Sequence, residues 1–209
     1  MTATPMFPLE VAMLPGEELP LRIFEPRYTA LVQACLAAEQ PEFGVVMIAA
    51  GREVGGGDRR CDIGALARIV ECDALGGGRY RLACLMTERI RVRQWLDDDP
   101  YPRAAVEPWD DEPADPVAPS RIDELEQRIV GLFERIAQAR EVDLPDRAAL
   151  LGPRHPDTGK RLYTLASRLP IGQADRYAVL SAPTAPARLN ALSEALDTVV
   201  AMVEFRLSP

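Results

Sequence analysis

A lysine and a serine at helical spacing are the first candidates for chemistry, because a serine–lysine pair can catalyse hydrolysis without a histidine. Lys160 is the only lysine of the chain, and Ser167 follows seven residues later. Two helical turns place both on one face but about 10 Å apart, too far for direct proton transfer. The only histidine, His155, lies in a polar segment, so we expect neither a Ser-His-Asp relay nor a histidine-rich metal site. We therefore predict no catalytic residues.

Glycine-rich segments do not encode a nucleotide site. The Gly159-Lys160 pair is followed by Arg161, and Arg154 stands where a Walker A loop needs its first glycine. The triplets at 55–57 and 76–78 do not lead from a strand into a helix, as phosphate-binding loops do, so we interpret both as turns. The sequence therefore predicts no cofactor.

The acidic and thiol side chains do not form a metal-ligand pattern. The run at 97–99 could offer carboxylates to a hard cation, but adjacent aspartates before a proline are typical of a solvated turn. No C-x-x-C pair is present, and buried free thiols are the favoured interpretation of the four cysteines, Cys35, Cys61, Cys72 and Cys84. We expect no metal site.

The charge distribution argues against a nucleic-acid partner. The 209 residues carry a net charge of −8, and residues 1–118 contain 20 acidic and 12 basic side chains. Nucleic-acid binders usually show a basic surface that neutralises phosphates. The chain also lacks a stretch apolar enough to span a membrane and a signal-peptide pattern at its start. We expect a cytoplasmic protein without a membrane contact.

The segment LPGEELPLRIFEPRY at 14–28 predicts three elements in succession. Pro15 and Gly16 suit the two central positions of a type II turn. A short strand over Leu19–Phe24 follows, and Pro26 ends it and begins a helix that runs to about residue 38.

Up to about residue 112 the pattern is that of strands, and after it that of helices. Strand signals occur at Leu9–Leu14, Leu19–Phe24, Phe43–Ala49, Ile63–Val70, Arg79–Leu85, Glu88–Trp95 and Arg103–Pro108. Residues 79–85 and 89–93 alternate polar and apolar, as half-buried antiparallel strands do. With one helix, these predict a small curled β-structure over residues 1–112. A proline-rich connector at 113–119 leads to a helical bundle over 120–209, with Ser120 capping its first helix and Thr184 its last. A heptad-like apolar seam on the last helix favours internal packing over a helical partner.

Taken together, these blocks resemble the Lon N-terminal domain, the substrate-recognition module of an ATP-dependent protease. The resemblance rests on residues 7–9, 14–16, 19–28, 43–46, 63–69, 78–80, 89–92 and 101–104, and more loosely on 165–170. It implies an α+β protein in which a PUA-like antiparallel β-barrel precedes a helical bundle. The residues that carry the family signature are Pro15, Gly16, Arg22, Glu25, Arg27 and Tyr28. We expect them to form the fold, with Glu25 and Arg27 pairing or capping at the helix start.

The resemblance implies binding to other proteins, not catalysis. No ATPase or serine–lysine peptidase is encoded in these residues, so we expect a free-standing, non-catalytic module for unfolded or apolar protein segments. Such a module could serve an ATP-dependent protease as an adaptor. The predicted contact residues are Leu14, Pro15, Leu19 and Phe24. Two alternatives stay open: RNA binding, which the PUA-like fold implies, and a small enzyme with an unfamiliar site.

Overall fold

The computed structural model describes residues 3–50 and 59–207, and the glycine triplet at 55–57 lies outside them. The chain divides into two compact units, Met1–Asp110 and Asp111–Pro209. The described part of the first unit contains strands and one helix, and that of the second contains helices. This organisation confirms the α+β class.

The first unit is built on six strands and a helix in its described part. Their bounds are β1 (Ala3–Leu9), β2 (Glu18–Ile23), α1 (Pro26–Leu36), β3 (Glu42–Ala50), β4 (Arg59–Gly76), β5 (Arg79–Trp95) and β6 (Arg103–Pro108). The prediction of a first strand at Leu9–Leu14 was wrong, because the strand precedes that segment. The strand contains two prolines, Pro5 and Pro8, which weaken its sequence signal because proline is depleted in strands.

The sheet has the order β2-β5-β4-β3-β1-β6 and curls so that β6 also pairs with β5. One edge of β5 pairs with β4. Its other edge pairs with β2 at residues 80–85 and with β6 at residues 90–95. The sheet is not purely antiparallel as expected, because β1 pairs with β3 in parallel. β2 and α1 lie between these two strands and provide the crossover that a parallel pair requires.

A β-bulge in β5 lets the sheet serve two cores. Ala67 pairs with Met86, but Ala65 pairs with Arg89, so β5 has one extra residue here and its side-chain alternation changes phase. Leu82, Cys84 and Met86 therefore face a cluster that α1 covers, whereas Ile90 and Val92 face a second cluster on the other side of the sheet. The two predicted strands at 79–85 and 88–95 are thus one strand.

The second unit contains five helices among its described residues. They are α2 (Pro119–Arg140), α3 (Arg147–Leu151), α4 (Thr158–Arg168), α5 (Gln173–Ser181) and α6 (Ala185–Leu207). Thr184 does cap α6, accepting a hydrogen bond from the Ala187 N–H at 3.2 Å. Ser120 does not cap α2, because Ala118 holds the N-cap position and Pro119 begins the helix.

The first and last helices of this unit run in parallel. Side chains are paired at every seventh residue of both helices: Arg121 with Asn190, Arg128 with Asp197, and Arg135 with Glu204. The heptad-like seam of α6 faces inward, since Leu189, Leu192 and Leu196 are buried, which confirms its internal use. No helix in the described residues is both long enough and apolar enough to cross a bilayer.

Candidate functional site

The turn at 14–17 is fixed to the centre of β5. Gly16 adopts a φ of 91°, as the second central position of a type II turn requires. Its N–H donates to the Met86 carbonyl (2.9 Å), and the Met86 N–H donates to the Glu17 carbonyl (2.8 Å). The Glu17 carboxylate accepts from the Leu14 N–H at 2.7 Å. The turn is therefore held in place by β5, next to its bulge.

The start of α1 is held by a stacked group of side chains. The Arg27 Nε lies 3.0 Å from the Glu25 carboxylate, and its guanidinium lies 4.5 Å from the centre of the Tyr28 ring. Tyr28 is buried and packs against Phe7, with ring centres 4.2 Å apart. Thr29 in the next position donates its hydroxyl hydrogen to the Gly78 carbonyl at 2.5 Å. These contacts fix α1 over the sheet.

The four residues predicted to contact a partner differ in their exposure. Leu14 has 0% and Leu19 has 6% of its surface exposed, so both belong to the interior of the first unit. Pro15 is half-buried in the turn. Phe24 follows the last residue of β2 and is 65% exposed. Of the four, Phe24 presents the largest fraction of its surface to a partner.

Around Phe24 the solvent-facing side of β2, β5 and β4 forms an open surface, which we call the outer face. Because directly paired residues share a face, the strand register assigns its rows. The rows run Glu18–Leu85–Arg68, Pro20–Ala83–Glu71 and Arg22–Arg81–Asp73. The centre of this face is apolar, and charged side chains surround it.

Two bulges in β4 add apolar side chains near this face. Val70 is the extra residue between Ile69 and Glu71, and Leu75 is the extra residue between Ala74 and Gly76. Val70 is 57% exposed and Leu75 is 52% exposed. Bulges commonly redirect a side chain, and here they coincide with two large exposed apolar residues.

Sequence reasoning missed most of the outer face, although one signal was present. In the segment RYRLACL the residues Tyr80, Leu82 and Cys84 alternate as a buried face should. Leu85 then occupies the polar side and is 40% exposed. An apolar residue on the polar side of an alternating strand can belong to an exposed apolar patch, which is the kind of surface that partners cover. The bulged positions of Val70 and Leu75 carry no such signal.

Three of the candidate side chains for catalysis or metal binding, Asp98, Ser167 and His155, make structural contacts. The Asp98 carboxylate forms a bidentate pair with Arg60, at 2.9 and 2.5 Å. The Ser167 hydroxyl donates to the Thr164 carbonyl at 2.8 Å, and His155 Nδ1 accepts from the Asp157 N–H at 3.0 Å. Over residues 3–50 and 59–207, no group of three or more His, Cys, Asp or Glu side chains is arranged to hold a metal ion.

The buried thiols are poor nucleophiles. Burial raises the pKa of Cys35 to about 12, and the nearby Glu42 carboxylate adds to the increase. Burial also raises the pKa of Cys84 to about 12, with smaller contributions from Cys35 and Cys72. Because the thiolate is the reactive form, both residues are protonated and inert near neutral pH.

A pocket in the second unit has a volume of about 200 Å³ and contains a buried ion pair. Its lining includes Ile122, His155, Glu126 and Arg161. The Arg161 Nε and one terminal nitrogen lie 3.0 and 2.6 Å from Glu126 Oε1, and Arg161 also donates to the Leu151 carbonyl (3.0 Å). Arg161 thus connects the end of α3 to α2 and α4, and this ion pair stabilises the fold.

The chain matches a protein family and is similar to curated sequences. A family model described as the ATP-dependent protease La (LON) substrate-binding domain matches residues 3–198. The Lon protease of Anaeromyxobacter dehalogenans is 25% identical over 199 residues, and that of Roseiflexus castenholzii is 28% identical over 203 residues. Each match covers 92% of this chain but only 23% and 24%, respectively, of the relative. The chain therefore spans about a quarter of the length of these relatives.

Solved structures of Lon N-terminal domains are also similar to this chain. A Lon N-terminal domain protein from Xanthomonas campestris is similar with a TM-score of 0.67 and 25% identity, covering 93% of this chain and 98% of that one. The N-terminal domain of the Lon protease of the Mycobacterium avium complex has a TM-score of 0.52 at 16% identity, covering 97% and 98%. The second likeness concerns the fold alone.

Proposed function

Because the chain belongs to the family of the ATP-dependent protease La (LON) substrate-binding domain, we propose that it is a non-catalytic module that recognises apolar segments of other proteins. The matches are to a substrate-binding domain and not to a peptidase domain. The observation that carries the proposal is the outer face, where Leu85, Val70 and the neighbouring Phe24 are 40%, 57% and 65% exposed.

The outer face suits an extended apolar chain better than a small molecule. It is an open surface three strands wide, about 10 Å across at the usual strand spacing. Covering its apolar side chains would remove their surface from water, which stabilises a complex by about 25 cal/mol per Å² before the costs of association. Unfolded proteins expose such apolar segments, whereas folded proteins bury them.

The test is binding of a permanently unfolded protein, with reduced and alkylated lactalbumin carrying a fluorophore as the probe. We expect the Leu85→Ser/Val70→Thr variant to bind about tenfold more weakly than the parent chain, a loss of about 1.4 kcal/mol. The matched control, Val142→Thr/Leu144→Ser, changes two exposed apolar residues of the second unit. Thermal unfolding of both variants verifies that they are folded. Equal binding by the parent chain and both variants would show that the outer face is not the binding site.

We further propose that the module delivers its bound segments to an ATP-dependent protease. Adding the purified chain to such a protease should accelerate degradation of the unfolded probe, and the Leu85→Ser/Val70→Thr variant should not.

RNA binding remains the alternative prediction. Its signature would be affinity for single-stranded RNA at low salt that disappears at high salt, because phosphate contacts release counterions.

A further inference from the structure

Arginine side chains are concentrated at the Phe24 end of the outer face. Arg22 of β2 lies directly opposite Arg81 of β5. Arg79 lies two residues before Arg81, on the same side of β5. All three are exposed. Like charges directly opposite each other on a sheet are unfavourable, so a nearby anion would stabilise this arrangement. It stands out in a chain with a net charge of −8.

The acidic residue in this row neutralises only one of the arginines. Asp73 of β4 accepts from Arg81 Nε and one terminal nitrogen, at 3.0 and 2.6 Å. The Arg79 Nε is directed to the Gly76 carbonyl at 3.5 Å. The Arg22 side chain has neither a hydrogen-bond nor an ion-pair partner among the residues that the structure describes, although its backbone pairs with β5. Its guanidinium is therefore available to a carboxylate from outside.

Apolar surface adjoins this free cation on two sides. Pro20 and Ala83 form the next row of the outer face, so Pro20 precedes Arg22 by two residues along β2. In the other direction along the chain, Phe24 follows Arg22 by two residues. Successive positions on the same side of a strand are about 7 Å apart. An extended segment that lays an apolar side chain on Pro20 and Ala83 can thus present a carboxylate to Arg22 a short distance along its length.

We propose that the outer face selects apolar segments that carry a neighbouring acidic residue, and that Arg22 is the specificity-determining residue that binds the carboxylate. This inference rests on the proposed function and narrows its substrate class. Arg22 acts by charge and hydrogen bonding at an exposed site, so it adjusts preference among apolar segments and does not create affinity by itself. Arg81 is already paired with Asp73 and contributes less.

The test uses the full chain and two labelled peptides of identical apolar sequence, one with an aspartate beside the apolar run and its twin with asparagine there. We expect the aspartate peptide to bind about threefold to fivefold more tightly at low salt, the upper part of the range of an exposed ion pair. Arg22→Gln should abolish this preference, so that the variant binds the aspartate peptide and its asparagine twin with equal affinity. Arg154→Gln, which removes an exposed arginine of the second unit, is the control and should keep the preference. Salt at 1 M, where the screening length is about 3 Å, should also remove it.

The outcomes separate this inference from the proposed function. Equal binding of both peptides, weakened by Leu85→Ser, would overturn the role of Arg22 and leave the apolar recognition surface standing. A preference that survives Arg22→Gln would also overturn it. Failure of both peptides to bind would overturn the proposed function and the inference together. Binding of single-stranded RNA that depends on Arg22 would replace the carboxylate with a phosphate.

Discussion

At the scale of single residues, Glu126 and Arg161 hold two opposite charges away from water, with 5% and 6% of their side chains exposed. Removing one partner leaves the other as an uncompensated buried charge. We predict that Glu126→Ala lowers the free energy of unfolding by about 3–5 kcal/mol. Urea denaturation followed by circular dichroism measures this change.

The matched control is an ion pair on the surface of the same helix. Arg128 pairs with Asp197, but their side chains are 35% and 70% exposed. Arg128→Ala should therefore lower stability by about 1 kcal/mol or less. If both variants lose the same amount, burial does not determine the contribution of the Glu126–Arg161 pair.

Two buried thiols make stability depend on pH in the alkaline range. The pKa values of Cys35 and Cys84 are raised from 9.0 to about 12 in the folded chain. Their contribution is complete below about pH 9 and is lost as pH rises from 9 toward 12, because the unfolded state loses its thiol protons first. We predict that Cys35→Ala/Cys84→Ala flattens the fall in the free energy of unfolding between pH 9 and 11. A variant whose alkaline profile has the slope of the parent would contradict this.

The candidate site could be predicted from the sequence only in part, for reasons visible at individual residues. Phe24 is a predicted contact residue and is exposed, but Leu14 and Leu19, predicted with it, are interior residues. Apolar character alone does not distinguish a contact residue from a core residue, since both favour burial. Val70 was not identified because its exposure coincides with a bulge, and a bulge depends on the pairing of two strands.

At the scale of elements, we predict that replacing a strand glycine and a helix glycine by alanine changes stability in opposite directions. A Cβ at Gly64 of β4 would lie 2.1 Å from the Val45 carbonyl oxygen, whereas a Cβ at Gly131 of α2 would meet no atom within 4 Å. Gly64→Ala should therefore destabilise the sheet by separating β3 from β4. Gly131→Ala should stabilise the chain by about 0.5–1 kcal/mol, because glycine in a helix interior costs about that much relative to alanine. Thermal unfolding of the two variants should shift in opposite directions.

The bounds of the elements show where sequence patterns succeed. Alternation located β5 and helical spacing located α1 and α6, because each pattern reports one buried face. The same patterns could not reveal that β5 is continuous. Cys84 and Ile90 are both at even positions, yet they face different cores because an extra residue lies between them. Long-range pairing decides such features, and the parallel β1–β3 pair is another example.

At the scale of the whole molecule, the boundary between the two units determines which fragments are stable. The sequence placed residues up to 112 in the β-structure and began the helical bundle at 120. In the second unit, however, Arg188 is 1% exposed and holds the Asp111 carboxylate at 2.8 and 2.5 Å. The Glu112 N–H also donates to the Pro183 carbonyl at 2.9 Å. The residues just before the proline-rich connector thus belong to the helical unit.

This arrangement predicts a difference between two fragments of the helical unit. A fragment of residues 111–209 keeps the partner of Arg188, but a fragment of residues 120–209 leaves a buried guanidinium without its carboxylate. Because Asp111 is partly exposed, we expect the shorter fragment to be less stable by about 2–3 kcal/mol, below the cost of breaking a fully buried pair. Urea denaturation of the two fragments measures the difference, and Asp111→Ala in the longer fragment should reproduce most of it. If that variant is as stable as its parent, the loss in the shorter fragment comes from the connector and not from the Asp111–Arg188 pair.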